Sequence, residues 1–508
     1  MGFLFLITWL ISLYLSRAMG HEIEINAPAR LPVRASKPVE HAFASFSFPI
    51  HFFADYAGNK SQPNQFSQDI IKLLHQKTGE WPYIRVGGTS ADRTVYNASQ
   101  TQAIILSSVS DNGIPLEVTV GPVLFEGFEN FYETPWTFQV NLANNKSGAL
   151  ENAVAEAEVA LSHIKGNLVA FEIGNEPDLY AGAVRPLNYT VADYVEEWNH
   201  FADAISEKVL RGNSYGLDSE KLFQALTFVS TMNNFTTYNA FKDGIDSHGH
   251  VKTVSLHQYA VGNQPSGSFM NHTAIVANLS QYIEDMNIIR ANNPSIQFLL
   301  GETNSDYVNL GMSQDEGVFG SSLWLVDFLL YGMSLNITRF NIIQGTTFGY
   351  TAWVPIEFNR QSPQVRPPLY GQLLAADVIG KHPKVQVKSL DLGRWDLSAY
   401  AIYEGDILSK YVVVNLDEWN STTPYPRPVQ NIALSLSRDV KRAEVKRLTG
   451  PGAEAVTSIS LGGLSWNYTD GRLGEFGQPQ VQIFHEHDGN VKFSLQSTEA
   501  AIIELHRA

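Results

Sequence analysis

Two glutamates in this sequence have the setting of a catalytic carboxylate pair. Glu176 follows the apolar run 168–173 in a Gly-Asn-Glu-Pro turn, and Glu302 is the first charged residue after the apolar run 298–300. If both runs are parallel strands of one barrel, the two carboxylates face each other at the carboxyl-terminal rim, where barrel enzymes build their active sites. Carboxylates about 5 to 5.5 Å apart can hydrolyse a glycosidic bond with retention, because one attacks the anomeric carbon while the other protonates the leaving oxygen. The pair therefore predicts glycoside hydrolysis, although an ordinary capped loop would also explain the Gly-Asn-Glu-Pro turn taken alone.

The elements that could position such a pair extend from about residue 43 to residue 380. Short β-branched or aromatic runs alternate there with amphipathic helical stretches, which is typical of a (β/α)8 TIM barrel in the α/β class. The clearest helical stretches cover 149–164, 192–210 and 318–335. The two glutamates follow the fourth and the seventh of eight predicted strands, which are 43–48, 83–86, 116–120, 168–173, 223–229, 253–256, 297–300 and 338–343.

The pattern changes after Gly380 to alternating strands and turns without helical stretches. Examples are 385–392, 411–419, 431–437, 491–497 and 500–508. This texture predicts an antiparallel β-sandwich. The expected domains are therefore a signal peptide at 1–20, an N-terminal strand segment at 21–41 that joins the β-domain, a catalytic barrel at 42–380 and a C-terminal β-sandwich at 381–508.

The N-terminus and the sequons predict a secreted, extracellular glycoprotein. The first twenty residues, MGFLFLITWLISLYLSRAMG, contain an apolar stretch followed by small residues, which is typical of a cleaved signal peptide. A retained membrane anchor is the alternative, for which the apolar run is somewhat short. Ten Asn-x-Ser/Thr sequons without proline are expected to carry N-glycans. They begin at Asn59, Asn97, Asn145, Asn188, Asn234, Asn271, Asn278, Asn336, Asn420 and Asn467.

Composition excludes several functional classes. The chain has 508 residues, a formal net charge of -16 and no cysteine. Such an acidic surface disfavours nucleic acid and sulfated glycan chains as partners, and no stretch after the signal predicts a membrane contact. The absence of cysteine excludes thiol nucleophiles and cysteine zinc sites. Because the sequence has neither a His-rich ligand spacing nor a phosphate-binding glycine loop, it predicts no metal and no organic cofactor, and it leaves the oligomeric state open.

Four short stretches resemble glycoside hydrolase family 79, the β-glucuronidase and heparanase-like family in the clan of retaining (β/α)8 glycosidases. They are 54–59 (ADYAGN), 85–88 (RVGG), 173–177 (IGNEP) and 301–303 (GET), and the resemblance extends from about residue 40 to the C-terminus. It implies that Glu176 is the general acid/base and that Glu302 is the nucleophile.

The same resemblance implies three supporting roles around this pair. Asn175 is expected to bind the 2-hydroxyl of the sugar, a contact that strengthens in the transition state. Tyr259 is expected to orient the nucleophile or the sugar, or else to be an ordinary aromatic of the barrel rim. Arg85 is expected in the substrate site, where it lowers the pKa of Glu302, and the alternative is a salt bridge inside the barrel.

Recognition of the uronate carboxylate is assigned by resemblance to Tyr307, Gly349 and Tyr350. Hydroxyl and backbone N–H donors can bind a carboxylate without adding a cation that would disturb the catalytic pair, although ordinary loop residues are the alternative. The sequence departs from the family at the first strand, where members often carry a glutamate for the sugar's 4-hydroxyl. Residues 45–51 contain no acid, which leaves glucuronate and 4-O-methylglucuronate both open.

These inferences predict a secreted retaining exo-β-glucuronidase that acts on glycans bearing a terminal β-linked glucuronic or 4-O-methylglucuronic acid. The first alternative is an endo-acting heparanase-like hydrolase, which needs a basic cleft that the acidic composition disfavours. A retaining β-glycosidase for neutral sugars is the second alternative. The non-enzymatic alternative is an inactive carbohydrate-binding barrel, which the presence of both carboxylates disfavours.

Overall fold

The core of the molecule is a closed barrel of eight parallel strands. The computed structural model describes residues 22–109, 114–131, 133–260, 270–307 and 316–508, so the expected signal peptide at 1–20 lies outside the described residues. The strands pair in chain order and the eighth closes on the first, which confirms the predicted (β/α)8 class. Their bounds are Ala44–Pro49, Ile84–Gly87, Trp136–Val140, Leu168–Ile173, Phe223–Phe228, Val251–Tyr259, Gln297–Asn304 and Phe340–Ile343.

Strand alternation gives the barrel an apolar outer layer and a polar interior. On the first strand, Phe46 and Phe48 pack against Trp353 outside the barrel. Ser47 points to the opposite face and accepts a hydrogen bond from Arg85 on the second strand. Because side chains alternate along a strand, the apolar residues pack against the surrounding helices and the intervening polar residues line the barrel interior. The polar interior places charged groups directly below the carboxyl-terminal rim.

The predicted third strand, 116–120, is wrong. Val118–Val120 instead belongs to a three-stranded side sheet with Thr94–Tyr96 and Ile104–Leu106. The third barrel strand is Trp136–Val140, which is buried along its whole length. The β-branched Val-Thr-Val segment does form a strand, as its residue pattern predicts. It pairs, however, with other segments of the insertion after strand two, because the choice of pairing partner depends on the tertiary structure. The count of eight and the places of strands four and seven are unaffected.

Helices surround the barrel where the amphipathic pattern predicted them. The stretch 149–164 is a helix with those bounds, and the capping box of Thr190 and Asp193 begins the next predicted one. The π-helical turn Ser206–Leu210 continues that helix. The α-helices are Ile50–Ala57, Gln65–Thr78, Pro122–Phe125, Ala149–Ile164, Val191–Ile205, Thr237–Lys242, His272–Ser280, Tyr282–Asn292, Phe319–Leu335 and Pro368–Ile379.

The C-terminal part is a β-sandwich of a nine-stranded and a three-stranded sheet. The smaller sheet includes the N-terminal strand Ile23–Asn26, which pairs in parallel with Val429–Ser435, and Asn490–Gln496 completes it. Apolar residues such as Ile25, Tyr411 and Phe493 fill the space between the sheets. The larger sheet contains Val385–Leu390, Leu397–Glu404, Ile407–Asn415, Val440–Thr449, Ser460–Leu461, Leu464–Thr469, Arg472–Gly477, Gln482–His485 and Glu499–Arg507.

The β-domain packs on the barrel through a shared apolar core. Side chains of the helices Phe319–Leu335 and Pro368–Ile379 belong to one buried cluster with Tyr400, Val412 and Trp466 of the large sheet. None of the ten sequon asparagines is buried, as attachment of a glycan requires. Within the described ranges, we find no helix that is both long and apolar enough to cross a membrane.

Candidate active site

Glu176 and Glu302 meet at the carboxyl-terminal rim of the barrel. One oxygen of each carboxylate and a ring nitrogen of His257 all lie within 4.8 Å of one another. The side chain of Glu302 is 7% exposed and that of Glu176 is 14% exposed. Retaining glycosidases hold their two carboxyl groups about 5 to 5.5 Å apart, and inverting enzymes hold them farther apart to admit a water molecule. The separation seen here fits the retaining arrangement.

The loop that carries Glu176 has a strained backbone. Glu176 adopts φ 50° and ψ 52°, a left-handed conformation that side-chain-bearing residues rarely occupy. Gly174, two residues earlier, has φ +79°, and a Cβ there would lie 2.8 Å from the Tyr180 hydroxyl. The Glu176 amide donates to the Thr227 carbonyl at 3.2 Å, which ties the turn to the end of strand five. Such conformations concentrate at functional sites, where the surrounding structure enforces them.

Glu302 is held as an anion by three neighbours. Arg85 Nη1 donates to Oε2 at 2.5 Å, and the Tyr259 hydroxyl donates to Oε1 at 2.5 Å. Burial raises the pKa of Glu302, but the charges of His257 and Arg85 and the Tyr259 hydrogen bond together lower the pKa below its usual value. An ionised, desolvated carboxylate at this position has the protonation state that a nucleophile needs.

Arg85 lies beneath Glu302 and has no exposed surface. Its Nη2 donates to Glu172 Oε1 at 2.6 Å and to Asn175 Oδ1 at 2.8 Å. The guanidinium therefore contacts Glu302 and also forms the salt bridge inside the barrel that the sequence left as the alternative. Since it is completely buried, we place Arg85 below the substrate position rather than in contact with the sugar. Glu172, which sequence reasoning did not single out, could have been found as the one charged residue within the fourth strand.

His257 is the most central residue that sequence reasoning missed. Its Nδ1 lies 2.9 Å from Glu176 Oε1, and its Nε2 is buried without a hydrogen-bond partner among the described residues. Burial lowers the pKa of His257, but Glu302 and Glu176 outweigh this effect and raise the pKa above its usual value. His257 and Tyr259 are two residues apart on the sixth strand and so face the same side. That spacing from Tyr259 was the available signal.

Asn175 is positioned from behind by a buried acid. Its amide N–H donates to Asp92 Oδ2 at 3.0 Å, and the Tyr180 hydroxyl donates to the same oxygen at 2.5 Å. Burial raises the pKa of Asp92 to about 7, although these hydrogen bonds oppose the shift. The Asn175 side-chain oxygen accepts from Arg85, which leaves Nδ2, 3.5 Å from Thr89 Oγ1, as the donor. Asp92 lies in the 3-10 helix Ala91–Arg93 and Tyr180 directly follows the 3-10 helix Pro177–Leu179, and elements this short have no periodicity that would mark these residues in the sequence.

The three residues expected to bind a uronate have different environments. The ring of Tyr307 is 57% exposed and packs edge-on against Tyr259 with centroids 5.7 Å apart. Tyr350 is buried, and burial together with the nearby Glu302 carboxylate raises its pKa, so the phenol stays protonated. Gly349 directly precedes it, and Arg366 Nη1 supports this turn from behind by donating to the Phe348 carbonyl at 3.3 Å. The structure thus brings Tyr307 and Tyr350 to the side of the site where Glu302 and Tyr259 lie.

Two titratable residues follow the first strand, where the sequence lacks the expected glutamate. Both ring nitrogens of His51 are buried without a partner in the described part of the chain, and burial lowers the pKa of His51 to about 3. Asp55, on the helix Ile50–Ala57, accepts a hydrogen bond from Thr346 Oγ1 at 2.6 Å, and burial raises its pKa to about 6. Thr346 lies beyond the eighth strand, so Asp55 joins the loops of strands one and eight.

The chain is similar to known proteins over most of its length. The profile of the glycosyl hydrolase family 79 C-terminal beta domain matches residues 399–502. A β-glucuronidase of Aspergillus niger is 32% identical over 514 aligned positions, which cover 95% of this chain and 94% of that protein. A β-glucuronidase of Neurospora crassa is 30% identical over 486 positions, which cover 85% of this chain and 86% of that protein.

Solved structures share the whole architecture. A 4-O-α-L-rhamnosyl-β-D-glucuronidase of Fusarium oxysporum superposes with a TM-score of 0.80 at 22% identity, covering 95% of this chain and all of that one. A family 51 arabinofuranosidase of Xanthomonas axonopodis pv. citri superposes with a TM-score of 0.64 at 11% identity, covering 96% and 100%. At these identities the likeness concerns the fold alone. The identity to two curated relatives over most of their length, together with the matched β-domain, makes this chain a member of glycoside hydrolase family 79.

Proposed function

We propose that this chain is a secreted retaining exo-β-glucuronidase that removes terminal β-linked glucuronic acid, or its 4-O-methyl ether, from glycans. The observation that carries the mechanism is the close approach of Glu176 and Glu302 at one rim, with Glu302 ion-paired to Arg85. The names of the two curated relatives support the glucuronide as substrate. The net charge of -16 supports a single terminal sugar over a long polyanionic chain.

In the first step, the Glu302 carboxylate attacks the anomeric carbon while Glu176 gives its proton to the glycosidic oxygen. The bond between that carbon and that oxygen breaks, the aglycone leaves as an alcohol, and a glycosyl ester of Glu302 forms. Asn175 Nδ2 is placed to donate to the sugar's 2-hydroxyl as positive charge develops on the ring. The hydrogen bond from the Tyr259 hydroxyl holds the Glu302 carboxylate in one orientation.

In the second step, Glu176 acts as a base. Now ionised, it takes a proton from a water molecule, whose oxygen attacks the anomeric carbon and displaces Glu302. The products are the β-uronic acid, free Glu302 and reprotonated Glu176. His257, in contact with Glu176 and close to Glu302, is suited to hold positive charge between the carboxylates through both steps.

A uronate carboxylate needs hydrogen-bond donors that do not change the charges on Glu176, Glu302 and His257. The Tyr307 and Tyr350 hydroxyls and the backbone at Gly349 supply neutral donors on the side of Glu302. A lysine or arginine at the same place would lower the pKa of both catalytic carboxyl groups and weaken Glu176 as an acid. We therefore propose that the uronate carboxylate binds beside Tyr307, Gly349 and Tyr350.

The substrate assignment is tested by assaying aryl β-glucuronide, β-glucoside and β-galacturonide side by side, with the 4-O-methyl glucuronide as a fourth substrate. We expect the two glucuronides to be the best substrates and the first product, followed by proton NMR, to be the β-anomer. A preference for the β-glucoside would contradict the uronate assignment. Release of oligosaccharides from a long glucuronide-containing polymer would instead favour the endo-acting alternative.

The catalytic roles are tested by azide rescue of two alanine variants. Glu302→Ala should lose nearly all activity and regain turnover with azide as an α-glycosyl azide, because azide fills the space of the nucleophile. Glu176→Ala should accumulate the glycosyl-enzyme on substrates with good leaving groups and give the β-azide. Glu158→Ala, an exposed position, is the matched control and should retain activity. The opposite azide stereochemistry would show that the two roles are reversed.

Secretion and glycosylation are tested by expressing the full chain in a eukaryotic host. We expect the protein in the medium with a new N-terminus near residue 21 and a mass that falls on glycosidase treatment. Retention in the membrane fraction with residues 1–20 intact would favour the anchor.

A further inference from the structure

A side-chain cluster at the opposite end of the barrel has the composition of a transition-metal site. Asp203, His248 and His250 each place one possible ligand atom within 4.8 Å of the other two. Asp203 lies in the last turn of the helix Val191–Ile205, and His250 directly precedes the sixth strand. Because the amino-terminal ends of barrel strands lie at the face away from the rim, this cluster is separate from the catalytic carboxylates.

The contacts of His250 allow one of its ring nitrogens to act as a metal ligand beside Asp203. Its Nδ1 lies 2.8 Å from the Glu220 carbonyl oxygen, which can only accept, so Nδ1 carries a hydrogen. Its Nε2 lies 2.8 Å from Asp203 Oδ1, which in the carboxylate form also only accepts. With Nδ1 as the donor, Nε2 offers its lone pair on the side where Oδ1 lies, as two ligands of one metal ion do. A histidine that donates one N–H to a backbone carbonyl and offers the other nitrogen is the usual arrangement around a protein-bound metal.

The second histidine brings another possible ligand nitrogen to the same carboxylate. His248 Nδ1 lies 3.0 Å from Asp203 Oδ1 and 3.1 Å from Oδ2, so two imidazoles converge on one carboxylate. Gly249 between them has φ +77°, which turns the short loop so that both rings reach Asp203. The Nδ1–H form of His248 would explain its own contact as a hydrogen bond, whereas one ion shared by the three side chains explains the convergence of both rings on Asp203.

We propose that Asp203, His248 and His250 bind one zinc ion or a similar divalent transition metal. Zinc accepts imidazole nitrogen and carboxylate oxygen at about 2.0 to 2.2 Å, and tetrahedral ligands are then about 3.3 Å apart. The observed separations are a few tenths of an ångström shorter, and Asp203 and His248 can move apart because their side chains are 50% and 46% exposed. Magnesium and calcium prefer all-oxygen ligands and do not suit this set.

The expected effect of the metal is stabilisation. The ion would join the end of the helix Val191–Ile205 to the loop that leads into the sixth strand, and a ligand that binds only the folded state raises the melting temperature. Three protein ligands leave the fourth tetrahedral position to a water molecule. The sequence predicted no metal because Asp203 is 45 residues from His248 along the chain, and only the fold brings them together.

The test uses the full mature chain without a polyhistidine tag, treated with a chelator and titrated with zinc chloride by calorimetry. We expect one zinc ion per chain and a higher melting temperature with zinc, and no response to magnesium. Asp203→Asn and His248→Ala should each weaken binding by about tenfold or more and abolish the thermal shift. His487→Ala, at a histidine whose side chain is 88% exposed in the β-domain, is the control and should bind zinc as the unaltered chain does.

Two outcomes would overturn this assignment. Absence of zinc binding would mean that the cluster is an imidazolium–carboxylate network. Zinc binding that is unchanged by both substitutions would place the ion elsewhere. Hydrolysis of an aryl β-glucuronide by the metal-free variants should equal that of the metal-free unaltered chain, so failure of the glycosidase assay and failure of the metal assay are separate results.

Discussion

At the scale of single residues, the two carboxylates at this barrel mouth have different charged surroundings. Glu302 is enclosed by the guanidinium of Arg85 and the phenol of Tyr259, both 2.5 Å away. Glu176 contacts neither of these two groups, and its carboxylate lies instead against the imidazole of His257. These partners lower the pKa of Glu302 below its usual value, which keeps it in the ionised state that the proposed nucleophile role needs.

Tyr259→Phe should shift the pH dependence of catalysis. The Tyr259 hydrogen bond lowers the pKa of Glu302, so deleting the hydroxyl should raise this pKa toward the ordinary range. Because the proposed mechanism needs ionised Glu302, the acid limb of kcat/KM for an aryl β-glucuronide should move to higher pH. Tyr215→Phe, at a partly exposed tyrosine, serves as the control. An acid limb that stays in place or moves to lower pH would contradict this role.

Tyr307→Phe should reduce activity on uronides selectively. A hydrogen bond to a charged group contributes roughly 1.5 to 3 kcal/mol, so loss of one donor should lower kcat/KM on aryl β-glucuronide about tenfold or more. The phenylalanine ring keeps the edge-on contact with Tyr259. Activity on the neutral β-glucoside, which lacks the carboxylate, should therefore stay nearly unchanged.

The two substrates of this experiment separate three explanations. Equal loss on both substrates would mean that Tyr307 supports the pocket as a whole. No loss on either would mean that other groups bind the uronate. Tyr238→Phe, at another exposed tyrosine, controls for a general effect of removing a hydroxyl.

At the scale of elements, strand alternation and helix faces determine which charges are buried. The helix Ala149–Ile164 turns its apolar face inward, and Glu156 falls on that face with 1% exposure. Its Oε1 has no hydrogen-bond partner in the described residues, and burial raises its pKa to about 8. An unpaired acid on the buried face of a helix is a stability cost that depends on pH.

Glu156→Gln should increase stability at neutral and alkaline pH. The folded chain keeps the Glu156 proton up to about pH 8, whereas the ordinary value of 4.5 applies when it unfolds. Between these values the folded state binds more protons, so stability of the unaltered chain falls as pH rises. The advantage of the variant should grow across this window to on the order of a few kcal/mol. Urea unfolding from pH 4.5 to 8 measures it, with the exposed Glu158→Gln as control, and a pH-independent difference would contradict the argument.

At the scale of the whole molecule, the barrel and the β-domain share buried polar contacts as well as an apolar core. Asp327, on the barrel helix Phe319–Leu335, has no exposed surface and accepts a hydrogen bond from the Tyr400 hydroxyl of the large sheet. His272 Nδ1 lies 2.9 Å from the other oxygen of the same carboxylate. Arg472 of the sheet also forms a bidentate ion pair with Asp69 of the barrel. These contacts predict that the two parts unfold together.

Tyr400→Phe should lower the melting temperature while keeping one calorimetric transition. Removal of the hydroxyl deprives buried Asp327 of a donor, which costs about 1 to 3 kcal/mol. Tyr403→Phe, which removes a 3.0 Å hydrogen bond to the Pro28 carbonyl inside the sandwich, should lower the same transition. Two resolved transitions, with Tyr403→Phe affecting only one of them, would show that the domains unfold independently.

The sequence by itself determined the fold class, the order of the two parts and the places of the two glutamates. Apolar residues recur with a period of two in strands and of 3.6 in helices, and both periods can be read from residues close together in the sequence. The strand Leu168–Ile173 and the helix Ala149–Ile164 were therefore predicted with their bounds. The family resemblance was likewise carried by contiguous motifs. These features need only neighbours along the chain.

The tertiary structure alone decided which side chains meet. In the folded chain the third barrel strand is Trp136–Val140, and His257 contacts Glu176. Arg85 forms a buried ion pair with Glu172. Strand pairing and the approach of charged groups depend on partners distant in sequence, whose identity no local period encodes. The polar interior of the barrel follows from closure of the sheet, since only closure turns one face of every strand toward the same enclosed space.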